Sequence, residues 1–304
     1  MRPLIRFIAA GMLAVAASAA HAATIAYGEA FDTLYRLDLD ARTATSIGPA
    51  GSYGGTTIGN ISGLTQASDG TLYAVAGGLK LLLRIDRTQG SATVLGNLGL
   101  AGQGSGQFDT LDLGMIAGCD GTLWLSSAVT GDLWTVDPQD GATTPVGNMG
   151  HAITGLVERN GTLYGAGGKG DNTFYRIDRR TGAATAVGAF GVSQWINSVA
   201  MSVGADGTLW AVLNYVPPQH DTDPVPDWSD LATIDPATGA MTILGPITGP
   251  ATLRQIGMKG FTTGPAQCRA PGAVGAPVDA PWALAMLGLL LAAAAGVRGR
   301  RLRA

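Results

Sequence analysis

Between residues 24 and 262 apolar and polar positions alternate in runs of four to six residues, punctuated by glycine-bearing turns. Such runs are too short for helices and carry the period of strands. One stretch displays the unit. Ile61-Ser62-Gly63-Leu64 leads to the turn Asp69-Gly70-Thr71 and to Leu72-Tyr73. Leu82-Leu83-Arg84-Ile85-Asp86 comes next, and then Gly90, Thr93 and Leu95-Gly96. The first turn recurs at Asp120-Gly121-Thr122, Asn160-Gly161-Thr162 and Asp206-Gly207-Thr208. Asp-Gly and Asn-Gly tolerate the positive φ of tight hairpins. The second half of the unit is stricter. Asp38, Asp86, Asp137, Asp178 and Asp235 each close a short apolar run. A Thr stands seven residues after each, and a Gly ten residues after: Gly48, Gly96, Gly147, Gly188 and Gly245. A constant step of this kind predicts a hairpin of fixed register.

Each unit is therefore four short strands rich in Val, Ile, Thr, Tyr and Trp, with a period of about 40 residues, the blade signature of a β-propeller. A β-sandwich would not require the same four-strand module repeatedly. The first unit begins at Thr24-Ile25 without an innermost strand, and the last is followed by a lone extra strand at Ile256-Gly257-Met258. That strand is expected to complete the N-terminal blade, giving five blades and no exposed sheet edge. The innermost strands carry Gly63, Gly114, Gly155, Ser198 and Gly257, small residues suited to a crowded axis. Tyr73, Trp124, Tyr164 and Trp210 share one repeat position and read as inter-blade packing. Over about residues 23–262 the repeats resemble bacterial propeller repeats of uncharacterised secreted proteins.

Composition sharpens this picture. Gly numbers 46 of 304 residues and charged residues make up only 13%. No G-x-y period is present, which excludes collagen, and the apolar content excludes wholesale disorder. The formal net charge of −3 conceals an uneven distribution. Arg2, Arg6, Arg298, Arg300, Arg301 and Arg303 lie in the two ends, leaving thirteen basic against twenty-two acidic residues in the body, a net of −9. An acidic body argues against nucleic acid as a partner.

The ends read as addresses. Arg2 and Arg6, an apolar run from Phe7 and the sequence Ala20-His21-Ala22 predict a signal peptide over residues 1–22. A Pro/Gly/Ala linker at 263–281 precedes an apolar segment from Trp282 to Val297 and its arginine tail, the pattern of a membrane helix over 282–304 with a basic stop. This three-part tail resembles the exosortase sorting signals of the PEP-CTERM and IPTL-CTERM type. Pro277 and Trp282 match the Pro and the helix-opening Trp of the IPTL pattern, while Val278-Asp279 stand where that pattern has Thr-Leu. The resemblance implies an exosortase-like partner, transient residence in the inner membrane, C-terminal processing and a place in the envelope or outside the cell, in biofilm or exopolysaccharide settings. A plain membrane anchor is the alternative. Both place the body outside the inner membrane. There Cys119 and Cys268 could form one disulfide tethering the linker to the body, or remain two free thiols.

Candidate chemistry clusters in the variable loops, all of which the repeat pattern places on one face around the channel mouth. The inner-to-second and third-to-outer turns are short and uniform and make a plain opposite face. Trp195 and Asn197 open an innermost strand, and Arg254 holds the equivalent position before the closing strand. They form either a ligand platform or a packed cap over the channel. His151 lies in a connection of the same class, and Asp112 ends another. The long insertion 214–229 carries Tyr215, His220, Asp223, Asp227 and Trp228. It is either a calcium or sugar site or a Pro-stiffened solvated loop, and it lacks the spacing of a known calcium loop. His151 and His220 are too few for a His-based metal cluster, a carboxylate site stays open, and no cofactor is expected, with calcium the ion the insertion's carboxylates would suit. Gly102–Gly106 and Gly168-Lys169 do not complete phosphate-binding motifs, and no G-x-S-x-G elbow occurs. These features favour an exported binding or scaffold propeller whose ligand is a glycan, a surface protein or a matrix polymer. The alternatives are a lactonase-like or lyase-like hydrolase with a metal at the channel mouth, and a structural matrix component without a small ligand.

Overall fold

The computed structural model describes residues 23–100, 111–215, 228–253 and 256–268. The expected leader, the loop 101–110, His220, Asp223, Asp227 and Arg254 lie outside these residues, as do Pro277, Trp282, Arg298, Arg300 and Arg301 of the tail.

Strands β1 (Ile25–Ala30), β2 (Thr33–Asp38) and β3 (Thr43–Pro49) open the first blade, and the small hairpin of β4 (Ser52–Tyr53) and β5 (Thr56–Thr57) comes after it. The second blade is β6 (Ile61–Gln66), β7 (Leu72–Ala76), β8 (Leu81–Ile85) and β9 (Ala92–Asn97). The third is β10 (Leu113–Ala117), β11 (Leu123–Ser127), β12 (Asp132–Val136) and β13 (Thr143–Asn148). The fourth is β14 (Ile153–Arg159), β15 (Thr162–Gly167), β16 (Thr173–Ile177) and β17 (Ala184–Ala189). The fifth is β18 (Ser198–Val203), β19 (Leu209–Asn214), β20 (Asp230–Ile234) and β21 (Met241–Pro246), and β22 (Gly260–Thr262) ends the series. Among the described residues these make five four-stranded antiparallel sheets, the first in the order β22-β1-β2-β3. The ring is thus a five-bladed propeller whose last strand completes the first blade. The closing strand is not Ile256–Met258 but Gly260–Thr262, pairing Tyr27 with Thr262, Gly28 with Phe261 and Glu29 with Gly260. The shift has its cause in packing: Met258 is fully buried against Gly28, so its segment serves as a plug under the blade and the ladder begins after it.

Five apolar clusters hold the ring, one at each blade-to-blade junction. The shared aromatic position supplies Tyr73, Trp124, Tyr164 and Trp210 to four of them. Tyr27 supplies the fifth.

The ten-residue Asp-to-Gly step has a specific cause. In every blade the outer two strands slip register by a β-bulge at the same place, between Leu34/Tyr35, Leu82/Leu83, Leu133/Trp134, Phe174/Tyr175 and Leu231/Ala232. A bulge bends a strand and re-aims the residues beyond it. Here it drives the next residue, the recurring glycine, against the outer turn of the following blade. A Cβ on Gly48, Gly96, Gly147 or Gly188 would collide with the carbonyl of Gln89, Asp140, Thr181 or Thr238 respectively. Gly90, Gly141, Gly182 and Gly239 in those turns all have φ between +75° and +78°. Two residues beyond each recurring glycine a side chain enters the junction: Ala50, Leu98, Met149, Phe190 and Ile247 are all at most 3% exposed. The fifth junction is built differently. Arg42 takes the left-handed position at φ +52°, its carbonyl accepts from Thr248 N at 2.9 Å, and Thr248 O accepts from Ala44 N at 2.7 Å.

Thr263–Cys268, expected as linker, instead cross the bottom of the ring. Thr263 N donates to Ser202 Oγ at 2.9 Å, Asn160 N donates to Gln267 O at 3.0 Å, and Pro265 bridges to Gln66. Cys268 is disulfide-bonded to Cys119 of the third blade, with Cα atoms 5.4 Å apart. Because this strap begins in the first blade, it ties all five together.

Replacing Gly96 by Ala should therefore lower stability by about 3 kcal/mol, the scale of an overpacked core site, because neither backbone can yield. Gly150→Ala is the control. It has φ +73° and open space around it, and should cost only about 1 kcal/mol from backbone strain. Thermal unfolding of the two variants beside the parent measures the contrast.

Candidate functional site

The loops entering the inner strands and those joining second to third strands share the top face. Five of the seven described non-glycine residues with positive φ are there: Phe31, Asn60, Lys80, Asp112 and Lys169. Each such residue costs about 1 kcal/mol or more and persists only where its surroundings hold it. Among the described residues four of the five exposed large apolar side chains are also there, Tyr53, Val129, Trp195 and Ile256, with Leu244 elsewhere.

Two of the strained residues meet. Asp112 precedes β10, and its carboxylate is ion-paired with both Lys169, from the β15–β16 loop, and Lys259, just ahead of β22, the latter at 2.7 Å. The Asp112 side chain is 3% exposed, whereas Lys169 and Lys259 keep 29% and 19%. Burial pushes the Asp112 carboxyl up, but Lys259 and then Lys169 outweigh it and hold it below the ordinary carboxylate range. Lys169 Nζ also donates to Asn197 Oδ1 at 3.0 Å, and Lys169 N and Gly170 N donate to the carbonyls of Asn197 and Ile196 at 2.9 and 3.0 Å. That ladder presses Trp195 onto the loop: a Cβ on Gly170 would lie 2.7 Å from the indole Nε1. Trp195 itself is 37% exposed.

A second group flanks this one. Tyr175 donates to Asp171 Oδ2 at 2.7 Å and lies 2.9 Å from His151 Nδ1, with the His151 and Tyr175 rings 4.3 Å apart. Burial, then the bond to Asp171, push the Tyr175 hydroxyl up to about 12.

The residues singled out from the sequence thus divide. Trp195, Asn197, Asp112 and His151 come to the top face, Asn197 as a buried support and Asp112 as the centre of an ion cluster. Tyr215 is buried in the junction of the fourth and fifth blades and donates to Asp230 Oδ2 at 2.9 Å, and burial pushes its hydroxyl up. Trp228 packs, partly buried, at the junction of the fifth and first blades. Lys169, Lys259, Asp171 and Tyr175 carry no motif and are assembled only by the ring. Glu29 was equally hidden. It is fully buried in β1 with neither carboxyl oxygen hydrogen-bonded, and burial, then Asp32, push it well above the ordinary range. Among the described residues no three His, Cys, Asp or Glu side chains gather as a metal set.

A concavity of about 700 Å³ lies elsewhere, under the fourth blade beside Arg176, Arg179 and Arg180. Arg179 is committed there to Asp120 and Glu158 and covers the Trp124 ring at 4.9 Å, so it locks two blades rather than facing a ligand. A cavity lined by the inner strands of all five blades measures about 10 Å³, room for a single water.

A family described as a repeat of unknown function (DUF6923) matches residues 33–214, about three-fifths of the chain. The protein belongs to the DUF6923 repeat family. No curated protein matches it. Among solved structures, a chain of the nidogen/laminin complex is similar at 14% identity and a TM-score of 0.50, covering 78% of this chain and 97% of that one. Virginiamycin B lyase from Staphylococcus aureus aligns at 16% identity and a TM-score of 0.41 over 70% of this chain and 63% of that one. A protein of unknown function from Bacteroides thetaiotaomicron aligns at 16% and 0.43 over 62% and 53%. The chain therefore spans less than two thirds of these last two. Identities this low speak to fold alone, and for this DUF6923 protein the chemistry rests on its own residues.

Asp112→Asn should cost about 3 kcal/mol at neutral pH, because it leaves two part-buried ammonium groups facing each other. The carboxyl is depressed in the folded state, so its contribution is present above the ordinary carboxylate pKa of about 3.9 and is lost as pH falls through the folded value. Melting curves should show the gap between parent and variant closing as pH drops below about 4.

Proposed function

We propose that this protein is an exported, non-catalytic binding propeller whose top face, around Trp195 and the Lys169–Asp112–Lys259 cluster, takes up a glycan of the cell surface or extracellular matrix. One observation carries the reading. Exposed apolar side chains and strained non-glycine backbone concentrate on the same face. The opposite face is made of uniform turns whose aspartates are spent on capping, as where Asp86 Oδ1 accepts from Thr88 N at 2.7 Å. Loops on a rigid frame are the usual seat of binding, and an exposed indole offers a stacking surface for a sugar ring. Trp195→Ala should weaken binding on a glycan array by about tenfold without changing the melting temperature. An array on which parent and variant bind alike removes Trp195 from the site.

Export rests on the predicted leader and tail, with the Cys119–Cys268 pairing as support, since such bonds persist in oxidising compartments. The tail's likeness to exosortase signals extends this to processing near Pro277 and Trp282. Intact-mass analysis of envelope and medium fractions should find a disulfide-bonded species lacking residues 1–22 and the Arg303 terminus. Recovery of only the full-length, reduced chain would sink this part of the reading.

A further inference from the structure

We propose that Lys169, Lys259 and Asp112, with Trp195 beside them, form a subsite for a carboxylate-bearing sugar residue, a uronate within a polysaccharide. The inference rests on the glycan reading above and specifies its ligand. Among the described residues Lys169 and Lys259 both pair with the one Asp112 carboxylate, so ammonium groups outnumber carboxylates within the cluster. That excess is accessible: both lysine side chains retain surface while Asp112 is sealed beneath them. It stands out in a body of thirteen basic and twenty-two acidic residues. Two neighbouring acceptors already take hydrogen bonds. Asn197 Oδ1 takes a hydrogen bond from Lys169, and Asp171 Oδ2 takes one from Tyr175. The cluster is thus a donor-rich spot that wants an acceptor from outside. A neutral sugar offers hydroxyls that must both donate and accept, whereas a carboxylate only accepts and brings the missing charge.

Geometry adds the rest. Lys169 and Asp112 are both held in left-handed backbone, at φ +57° and +39°. Such strain in the two partners of one ion pair marks a position fixed by more than local preference. The loop carrying Lys169 is laddered to the segment carrying Trp195, and Gly170 lies directly against the indole. Flat apolar surface and cationic edge therefore sit side by side. A pyranose ring stacked on Trp195 would lie against the loop that carries Lys169, and in a uronate the C5 substituent is the carboxylate such an ammonium group would take.

The test uses the purified full chain and matched oligosaccharides that differ only at C5. These are trimers of galacturonate and galactose, of glucuronate and glucose, and of mannuronate and mannose, titrated by calorimetry. In at least one pair the acidic trimer should bind about tenfold tighter than its neutral partner. That preference should shrink as salt rises from about 0.05 M to about 0.5 M, because exposed charges are screened. Lys169→Gln should abolish the preference; the salt series on the parent keeps the question decidable if the variant melts early. Equal binding within every pair overturns the uronate subsite and leaves the glycan reading standing. Absence of binding to all six trimers overturns both.

Discussion

Four of the five blades of this protein meet the next through a backbone-on-backbone contact in a space that a single methyl group would fill. The bulge before Gly48, Gly96, Gly147 and Gly188 aims the outer strand at its neighbour's turn, and the absent Cβ lets the two chains touch. A similar contact occurs near the axis, where Gly63 abuts Met115, Gly114 abuts Thr154 and Gly155 abuts Val199 of the following blade. Apolar clusters supply most of the burial energy, but these contacts set the distance at which the clusters can form. The spacing of five blades around one axis is thereby fixed at two radii. The high glycine content has its physical explanation here.

The closing junction departs from this scheme. Strand β22 contributes three residues to the first blade, and Arg42 stands where the other outer turns have glycine. Thr248 compensates with two backbone hydrogen bonds, and the strap with its disulfide adds a covalent lock across a separation of 149 residues. In the chain-entropy model a loop of that length destabilises the unfolded state by about 5 kcal/mol at most. The segment that closes the ring is thus covalently tied to the third blade.

Much of the fold was legible because it repeats. Asp-Gly turns, the fixed Asp-to-Gly step and the missing first strand led to five blades and to closure by the C-terminus. The bulge was not legible, since a one-residue slip leaves the apolar pattern on either side intact. The closing strand was misplaced by a few residues because Ile256-Gly257-Met258 has the right apolar character, and only Met258's burial against Gly28 reveals its other use. At the site, Trp195 and His151 were visible as unusual residues in variable loops. The ion cluster was invisible because Asp112, Lys169 and Lys259 come from three separate blades, and no local pattern links them. Glu29 was hidden for a similar reason: its strand reads like the others, and only the ring shows that nothing meets its carboxyl.

The closed axis also governs traffic. With a cavity of about 10 Å³ between the inner strands and a disulfide-pinned strap across the lower end, the described residues leave no open bore. It is a dish rather than a pipe. On the reading proposed above, a polymer would not have to present a chain end, because nothing is threaded: an internal stretch would settle on the top face and lift off sideways. Several copies would then seat along one strand, each holding it without capping it.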